Sequence, residues 1–175
     1  MDTFNLRLVP YNRLAAVQYA HKWAYGRNPA FYDYEQIGGD CTNFASQCVY
    51  AGSGIMNFEK DFGWYYIDPN NKAPAWTGVE YFSRFMTRED ASVGPVAVDA
   101  TISQLEPGDV VQLSFDGENW THSPVVVRLL RQPALRPADV LIAAHSYDSD
   151  NRPLSTYDYQ GIRFLHFTGV RKPVR

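Results

Sequence analysis

Residues 38–48 read Gly-Gly-Asp-Cys-Thr-Asn-Phe-Ala-Ser-Gln-Cys, and this stretch places a cysteine at the predicted start of a helix. Asp40 is a residue type that commonly caps helix N-termini, and Gly52-Ser53-Gly54 ends the helical pattern, so we predict a helix over 41–51. The unpaired N–H groups and the positive dipole end of a helix favour a thiolate over a thiol. Cys41 is therefore a candidate nucleophile.

The second cysteine, Cys48, lies seven residues after Cys41. Seven residues of helix rise about 10.5 Å, whereas a disulfide needs Cα atoms within about 7 Å, so we do not expect the two thiols to pair. Most free cysteines are buried packing residues, and we interpret Cys48 as one of these. For Cys41 the packing and the reactive interpretations both stay open, because a Gly-Gly-Asp loop precedes it.

The length and composition indicate one globular domain over 1–175. Hydrophobic residues make up 45% and charged residues 20%, which excludes a disordered, coiled-coil or disulfide-dense protein. The net charge of −3, without a long basic run, predicts no nucleic-acid partner, and no apolar stretch approaches the ~20 residues of a membrane helix. Residues 1–10 lack a signal-peptide core, and the compartment stays open, with secretion or a cell-wall location as an alternative if a leader has been removed.

The periodicity of the chain changes from helical to stranded near Val96. Asn12 is expected to cap a helix over 13–25, and Thr77 with Glu80 forms a capping-box pattern for a third helix. Helices followed by an antiparallel meander predict an α+β domain, with N-terminal helices packed on a C-terminal sheet. The predicted strands cover 109–115, 120–129, 140–145 and 161–170.

A thiol nucleophile needs a base within hydrogen-bond reach, and histidine is the usual partner. His122 follows a predicted hairpin turn and His145 ends an apolar strand, so both can lie on the sheet face that receives the cysteine helix. His21 lies in the middle of a helix and His166 inside the last strand, where core or surface roles are expected. The residue pattern alone does not single out a base.

Aromatic side chains are concentrated between the second and third predicted helices, at Trp64, Tyr65, Tyr66 and Trp76. A purely structural role would not require so many rings in an irregular segment. We therefore expect some of them to wall a substrate groove near Cys41. Packing beneath the long loop is an equally open alternative.

Several motifs, taken in this order along the chain, resemble one known family. They are the stretch 38–48, Pro107-Gly108-Asp109-Val110, Thr121-His122-Ser123 and Ala144-His145-Ser146. Together they resemble the bacterial putative amidase domain family, a relative of the NlpC-type cell-wall peptidases and CHAP amidases within the papain-like cysteine hydrolases. The likeness covers most of the chain and implies a papain-like, NlpC-like α+β fold.

The resemblance also implies a reaction and a set of roles. Cys41 is expected to be the nucleophile, His122 the general base, and His145 the residue that orients the base, with Asp148 as the alternative. The expected reaction is hydrolysis of an amide through an acyl-enzyme, on peptidoglycan peptides or related amides, with no metal or organic cofactor. Six residues are expected to contact the substrate: Asp40, Asn43, Trp64, Tyr65, Trp76 and Asp148.

Three alternatives to this interpretation stay open. A binding module of the same fold would have lost the chemistry, although the complete set of Cys41, His122 and His145 argues against decay. An acyltransferase would pass the acyl group to an amine instead of water. A mononuclear metal hydrolase would use His122, His145 and Asp148.

Pro124 departs from the Val-Gly that NlpC-type relatives more often carry, and it predicts an edge or a bulge in its strand.

Overall fold

Helices occupy the first half of the domain and most strands the second, as the sequence predicts, but short strands also lie among the helices. The computed structural model describes residues 5–174. Within them the helices are Arg13–Trp23 (α1), Cys41–Ser53 (α2), Pro74–Thr77 (α3) and Val79–Met86 (α4). The strands are Leu6–Val9 (β1), Tyr66–Asp68 (β2), Asn71–Lys72 (β3), Gly94–Ala100 (β4), Val110–Ser114 (β5), Trp120–His122 (β6), Val125–Leu129 (β7), Val140–Ala144 (β8), Ser149–Pro153 (β9) and Gly161–Pro173 (β10).

Eight strands form one antiparallel sheet, which confirms the predicted α+β class. Their order is β1-β10-β5-β7-β8-β9, with β4 paired to β10 and β6 paired to β5. The last strand therefore returns to lie between β1 and β5, whereas a simple meander would have left it at the end. Pairing between strands so far apart in the chain leaves no local sequence signal. β2 and β3 form a separate two-stranded sheet.

Alternation along β8 gives the sheet two apolar faces. Ala143 belongs to the core between the sheet and the helices α1 and α2, while Ala144 belongs to the cluster on the opposite face. His145 returns to the helix side, where its ring stacks on Phe44 of α2 with centroids 4.1 Å apart. The predicted orientation of His145 toward the cysteine helix is therefore confirmed.

The helix boundaries agree with the sequence at α1 and differ at α4. Asn12 Oδ1 accepts a hydrogen bond from the Ala15 N–H at 3.0 Å, so the predicted cap is confirmed, although α1 ends at Trp23. The Thr77 capping box is wrong, because Thr77 ends α3 and Gly78 occupies the N-cap of α4 without a side-chain bond. No helix within residues 5–174 is long and apolar enough to span a membrane.

The run predicted as one strand over 120–129 is two strands, β6 and β7. The interruption falls at Ser123 and Pro124. Proline has no N–H to donate to a neighbouring strand, so a break at this position follows from its chemistry. The irregularity that Pro124 predicts is therefore confirmed, and His122 becomes the last residue of a short strand.

Candidate active site

Cys41 is the first residue of α2, and only 7% of its surface is exposed. Gly38 and Gly39 precede it with φ of +100° and +96°, a backbone conformation that suits glycine. A Cβ atom on Gly39 would lie 3.2 Å from Ser146 Oγ. The glycines therefore let the loop before the helix approach the loop after β8 closely.

The Cys41 thiol contacts the strand that carries His122. Its Sγ lies 3.7 Å from the Thr121 carbonyl oxygen and 3.8 Å from Thr42 Oγ1. Burial raises the pKa of the Cys41 thiol, and hydrogen bonds from Thr42 and from the backbone of Ser123 oppose this shift only in part. The direction is opposite to the one expected from a helix N-terminus, because the lost solvation of the thiolate outweighs the dipole. Cys41 is therefore a neutral thiol at neutral pH.

His122 lies at the end of β6, with 5% of its surface exposed. Its Nε2 lies 3.2 Å from the Tyr157 hydroxyl oxygen. Burial, followed by the positive charge of Arg152, lowers the pKa of His122 to about 4. The ring is thus neutral at neutral pH and free to accept a proton. Within residues 5–174 the Cys41 thiol makes its hydrogen bonds with Thr42 and Thr121 and not with this ring.

Ser123, the residue after His122, is joined to α2 by a series of buried hydrogen bonds. Ser123 Oγ lies 3.1 Å from Thr42 Oγ1 and accepts a hydrogen bond from Gln112 Nε2 at 3.2 Å. Arg163 Nε donates to Gln112 Oε1 at 2.8 Å. Ser123 and Gln112 are fully buried. Because Thr42 follows the cysteine and Ser123 follows the histidine, this network fixes the two candidate catalytic residues relative to each other.

A cleft of about 460 Å³ opens beside His122. Its walls are mostly apolar, and its volume suits a small molecule or a few residues of a peptide. The Cys41 thiol contacts one of its lining residues, Thr121. The full lining consists of Phe115, Thr121, His122, Ser146, Tyr147, Arg152, Thr156, Tyr157 and Asp158.

The structure contradicts the prediction that His145 orients His122. The His145 Nδ1 lies 2.5 Å from Asp40 Oδ2, and its Nε2 lies 2.8 Å from the Trp23 carbonyl oxygen. Both ring nitrogens therefore have partners inside the protein. The side chains of His145 and Asp40 are each 1% exposed. His145 is thus held in the interior and is not available to orient His122.

Asp148 does not orient His122 either. Its carboxylate forms a bidentate pair with Arg27, with nitrogen–oxygen distances of 2.9 and 3.1 Å. Arg27 Nε also lies 3.7 Å from Asp40 Oδ2, so Arg27 joins the loop after β8 to the loop before α2. The alternative metal site of His122, His145 and Asp148 is not assembled. Residues 5–174 contain no group of three or more His, Cys, Asp or Glu arranged to hold a metal ion.

The side chains of Asp40 and Asn43 bind other groups of the protein, which disagrees with the prediction that they contact substrate. Asp40 Oδ1 accepts hydrogen bonds from the Tyr34 N–H and from Asn43 Nδ2, both at 2.8 Å. Asn43 Oδ1 accepts one from the Trp76 indole at 2.9 Å. Both side chains are almost completely buried. Because the Asp40 carboxylate turns to these groups and to His145, it does not cap α2.

The four aromatic rings predicted to wall a groove are buried instead, so that interpretation is wrong. Trp64 and Trp76 have no exposed surface, and their ring centroids lie 4.9 Å apart. The Trp64 indole donates to Ser46 Oγ at 3.0 Å, which satisfies its polar atom inside the protein. Tyr65 and Tyr66 are each 9% exposed, and neither lines the cleft. Packing beneath the loop is the alternative that the structure supports.

Both cysteines are free, as the spacing predicts. Cys48 lies in the core beneath α2 and has no exposed surface. Burial raises the pKa of its thiol well above the ordinary value. The interpretation of Cys48 as a packing residue is confirmed.

Tyr157 and Arg152 are cleft residues that the sequence did not single out. The Arg152 guanidinium carbon lies 3.7 Å from the centroid of the Tyr157 ring, and the Tyr157 hydroxyl reaches His122. Arg152 belongs to β9, and Tyr157 follows the 3₁₀ turn Leu154–Thr156. Tyr157 and His122 are separated by 35 positions in the chain, and no motif or spacing links them.

Comparisons with known proteins agree with the family resemblance. Residues 10–168 match the family described as putative amidase domain. The chain is also similar to the uncharacterized protein YhbB of Bacillus subtilis (strain 168), with 33% identity over 155 residues. That similarity covers 87% of this chain and 47% of the relative, so the chain spans about half the length of the protein it matches. No solved structure matches. The chain therefore belongs to the putative amidase domain family.

Proposed function

We propose that the protein hydrolyses amide bonds, with Cys41 as the nucleophile and His122 as the general base. The observation that carries this proposal is the 3.7 Å contact between Cys41 Sγ and the carbonyl of Thr121, the residue before His122 in the cleft wall. The contact joins the cysteine at the start of α2 to the short strand β6, whose last residue, His122, lines the cleft. Membership of the putative amidase domain family is consistent with an amide as the substrate.

His122 has a free lone pair because it is unprotonated at neutral pH; the burial that lowers its pKa to about 4 also makes it a weaker base than an ordinary imidazole. The Tyr157 hydroxyl oxygen lies 3.2 Å from His122 Nε2. When Nε2 carries the hydrogen and donates it to the Tyr157 oxygen, Nδ1 is left as the acceptor for the thiol proton. Tyr157 then selects the tautomer that catalysis requires. We expect the contact between thiol and imidazole to tighten when substrate binds.

In the acylation step, His122 takes the thiol proton while Sγ attacks the carbonyl carbon of the amide. A carbon–sulfur bond forms, and one electron pair of the carbonyl moves to oxygen. The pair then returns, the carbon–nitrogen bond breaks, and the amine leaves with the proton from His122. In the second step His122 deprotonates a water molecule that attacks the thioester, the acid is released, and the proton returns to sulfur.

The start of α2 is suited to stabilise the negative oxygen that develops during attack. The first N–H groups of a helix have no acceptor within their own helix. Asp40, the residue that would normally cap them, directs its carboxylate to Tyr34, Asn43 and His145 instead. We infer that the N–H groups of the first turn stay available to the oxyanion, as electrostatic stabilisation of acyl transfer requires.

The first test compares the two cysteines. Cys41→Ala should lower the hydrolysis of peptide amides by more than about 10³-fold, since it removes the nucleophile. Cys48→Ala should keep the activity and lower the free energy of unfolding by about 1 kcal/mol, because it leaves a small cavity in the core. Soluble peptidoglycan fragments are the first substrates to try, and mass spectrometry of the products identifies the bond cleaved.

Circular dichroism of both variants establishes that they are folded. Full activity of Cys41→Ala, or loss of activity only in Cys48→Ala, contradicts the proposal. The same reaction with an added amine separates hydrolysis from acyl transfer. A new amide product formed at the expense of the free acid would make the protein an acyltransferase.

A further inference from the structure

The cleft beside His122 contains a positive charge that no carboxylate neutralises. Arg152 lines this cleft, and within residues 5–174 no carboxylate oxygen lies within 4.0 Å of its guanidinium. Arg13 and Arg163, by contrast, each form an ion pair with a carboxylate of the protein. Asp158 also lines the cleft, but its side chain is exposed and forms no such pair. Arg152 therefore lies in the cleft wall without an ion-pair partner among the described residues.

The guanidinium of Arg152 is held in a fixed orientation. Its Nε donates to Thr156 Oγ1 at 2.7 Å, and its Nη2 donates to the Thr156 carbonyl oxygen at 3.3 Å. One face of the group covers the Tyr157 ring at 3.7 Å. Thr156 uses the edge formed by Nε and Nη2, which leaves the fork between Nη1 and Nη2 for another partner. Two parallel N–H groups of this kind match the two oxygens of a carboxylate.

Arg152 is also close enough to the reacting groups to act on them. The guanidinium carbon lies 3.7 Å from the centroid of the Tyr157 ring, and the hydroxyl of that ring lies 3.2 Å from His122 Nε2. The positive charge of Arg152 contributes to the lowered pKa of His122. A ligand held by the free fork would therefore lie in the same cleft as the base and near the proposed nucleophile.

We propose that Arg152 forms a subsite for a carboxylate of the amide substrate, carried by an acidic side chain or by a free α-carboxyl group. This inference rests on the proposed role of Cys41. The mostly apolar cleft strengthens such a pair, because fewer water molecules screen the two charges. The protein thus favours acidic amides over neutral amides of the same shape.

Iodoacetate and iodoacetamide test this subsite without knowledge of the natural substrate. Both reagents alkylate a thiol: the thiol gives up its proton to a base, a sulfur–carbon bond forms, the carbon–iodine bond breaks, and iodide leaves with the electron pair. They have nearly the same size, but only iodoacetate is an anion. The measured quantity is the ratio of their rates at Cys41, normalised to the ratio for free cysteine and assigned by peptide mass mapping against Cys48.

The ratio should favour iodoacetate in the unsubstituted protein and fall at least about fivefold in Arg152→Gln, since one unit of charge is lost. Arg152→Lys should retain part of the preference, because the charge stays while the fork is lost. Arg7→Gln is the matched control: Arg7 lies on β1, at the opposite end of the sheet from β9, and its loss should leave the ratio unchanged. About 0.5 M salt should weaken the preference.

An equal ratio in Arg152→Gln and in the unsubstituted protein overturns the subsite while leaving Cys41 as the nucleophile. The subsite is also overturned if the iodoacetate and iodoacetamide rates fall by the same factor in Arg152→Gln and again in Arg152→Lys. That result would show only that Arg152 supports the position of Tyr157. Absence of alkylation at Cys41 by either reagent instead overturns the proposed function, and this inference with it.

A second arm identifies the source of the carboxylate. Hydrolysis is compared for peptide amides that differ only in glutamate against glutamine, and for those that differ only in a free against an amidated C-terminus. The acidic member of one pair should have the higher kcat/KM, and Arg152→Gln should remove that difference. Equal rates within both pairs overturn the subsite.

Discussion

His122 and His145 are both almost completely buried, yet their surroundings are opposite in kind. His145 lies between a carboxylate and a carbonyl oxygen, and both ring nitrogens are held by acceptors. His122 lies beside an open cleft, with a tyrosine hydroxyl at Nε2 and a positive charge nearby. One ring has a partner at both nitrogens, and burial keeps the other ring neutral at neutral pH.

The difference between the two rings is the reason that we assign them different roles. His145 has a partner at both of its ring nitrogens, so we assign it a structural role. A ring kept neutral by lost solvation has a lone pair and can act as a base. The partners of each ring, and not its burial, separate the two roles.

The largest effect is expected for His122→Ala. Removal of the base should lower the rate of acylation by about 10³-fold, while the fold is retained. Single-turnover measurements of amide cleavage give this rate. His21→Ala is a suitable control, because His21 is exposed and pairs with Asp150 on the surface. Similar losses for the two variants would mean that His122 has no special role.

A large effect on stability, with a smaller effect on rate, is expected for His145→Ala. The substitution leaves the Asp40 carboxylate buried without its main partner, which should lower the free energy of unfolding by about 3–5 kcal/mol. Urea denaturation measures this change. Adding Asp40→Asn should recover part of the loss, because the charge is removed while Oδ1 still accepts hydrogen bonds from the Tyr34 N–H and Asn43 Nδ2. If the double variant is less stable than His145→Ala, the unpaired Asp40 charge is not the cause.

The lowered pKa of His122 predicts a loss of stability in acid. The ordinary pKa of an unfolded histidine is about 6.5, and burial lowers that of folded His122 to about 4. Between these values the unfolded chain binds more protons than the folded one, so falling pH favours unfolding, by about 3 kcal/mol in total. Urea denaturation between about pH 7 and pH 4 should show this loss. His122→Asn should lack that part of it, and an unchanged pH profile in the variant would place the lost stability elsewhere.

The smallest effect is expected for Tyr157→Phe. The variant removes one hydroxyl and with it the hydrogen bond that fixes the tautomer of His122. We expect kcat to fall about tenfold with little change in KM, which corresponds to one hydrogen bond of ordinary strength. Tyr159→Phe is the matched control, because Tyr159 lies two positions further along the chain and does not line the cleft. Equal kcat for the two variants would remove Tyr157 from the mechanism.

Much of the local structure could be predicted from the sequence. The Asn12 cap, the helix that begins at Cys41, and the break at Pro124 depend on residues close together in the chain, so their signals are local. The two tryptophans show where such reasoning stops. An irregular, aromatic segment between helices fits a groove and a core equally well, and only the surrounding elements determine that Trp64 and Trp76 are buried.

Residues close together in the chain are enough to predict the α+β class, the place of Cys41 at a helix start, the core position of Cys48 and the resemblance to the amidase family. The partners of the two histidines depend on the complete fold. His145 reaches Asp40 across 105 positions of the chain, and His122 reaches Tyr157 across 35. The physical reason is that a histidine's proton affinity depends on its solvation and on the charges around it, and the folded chain supplies both from distant residues.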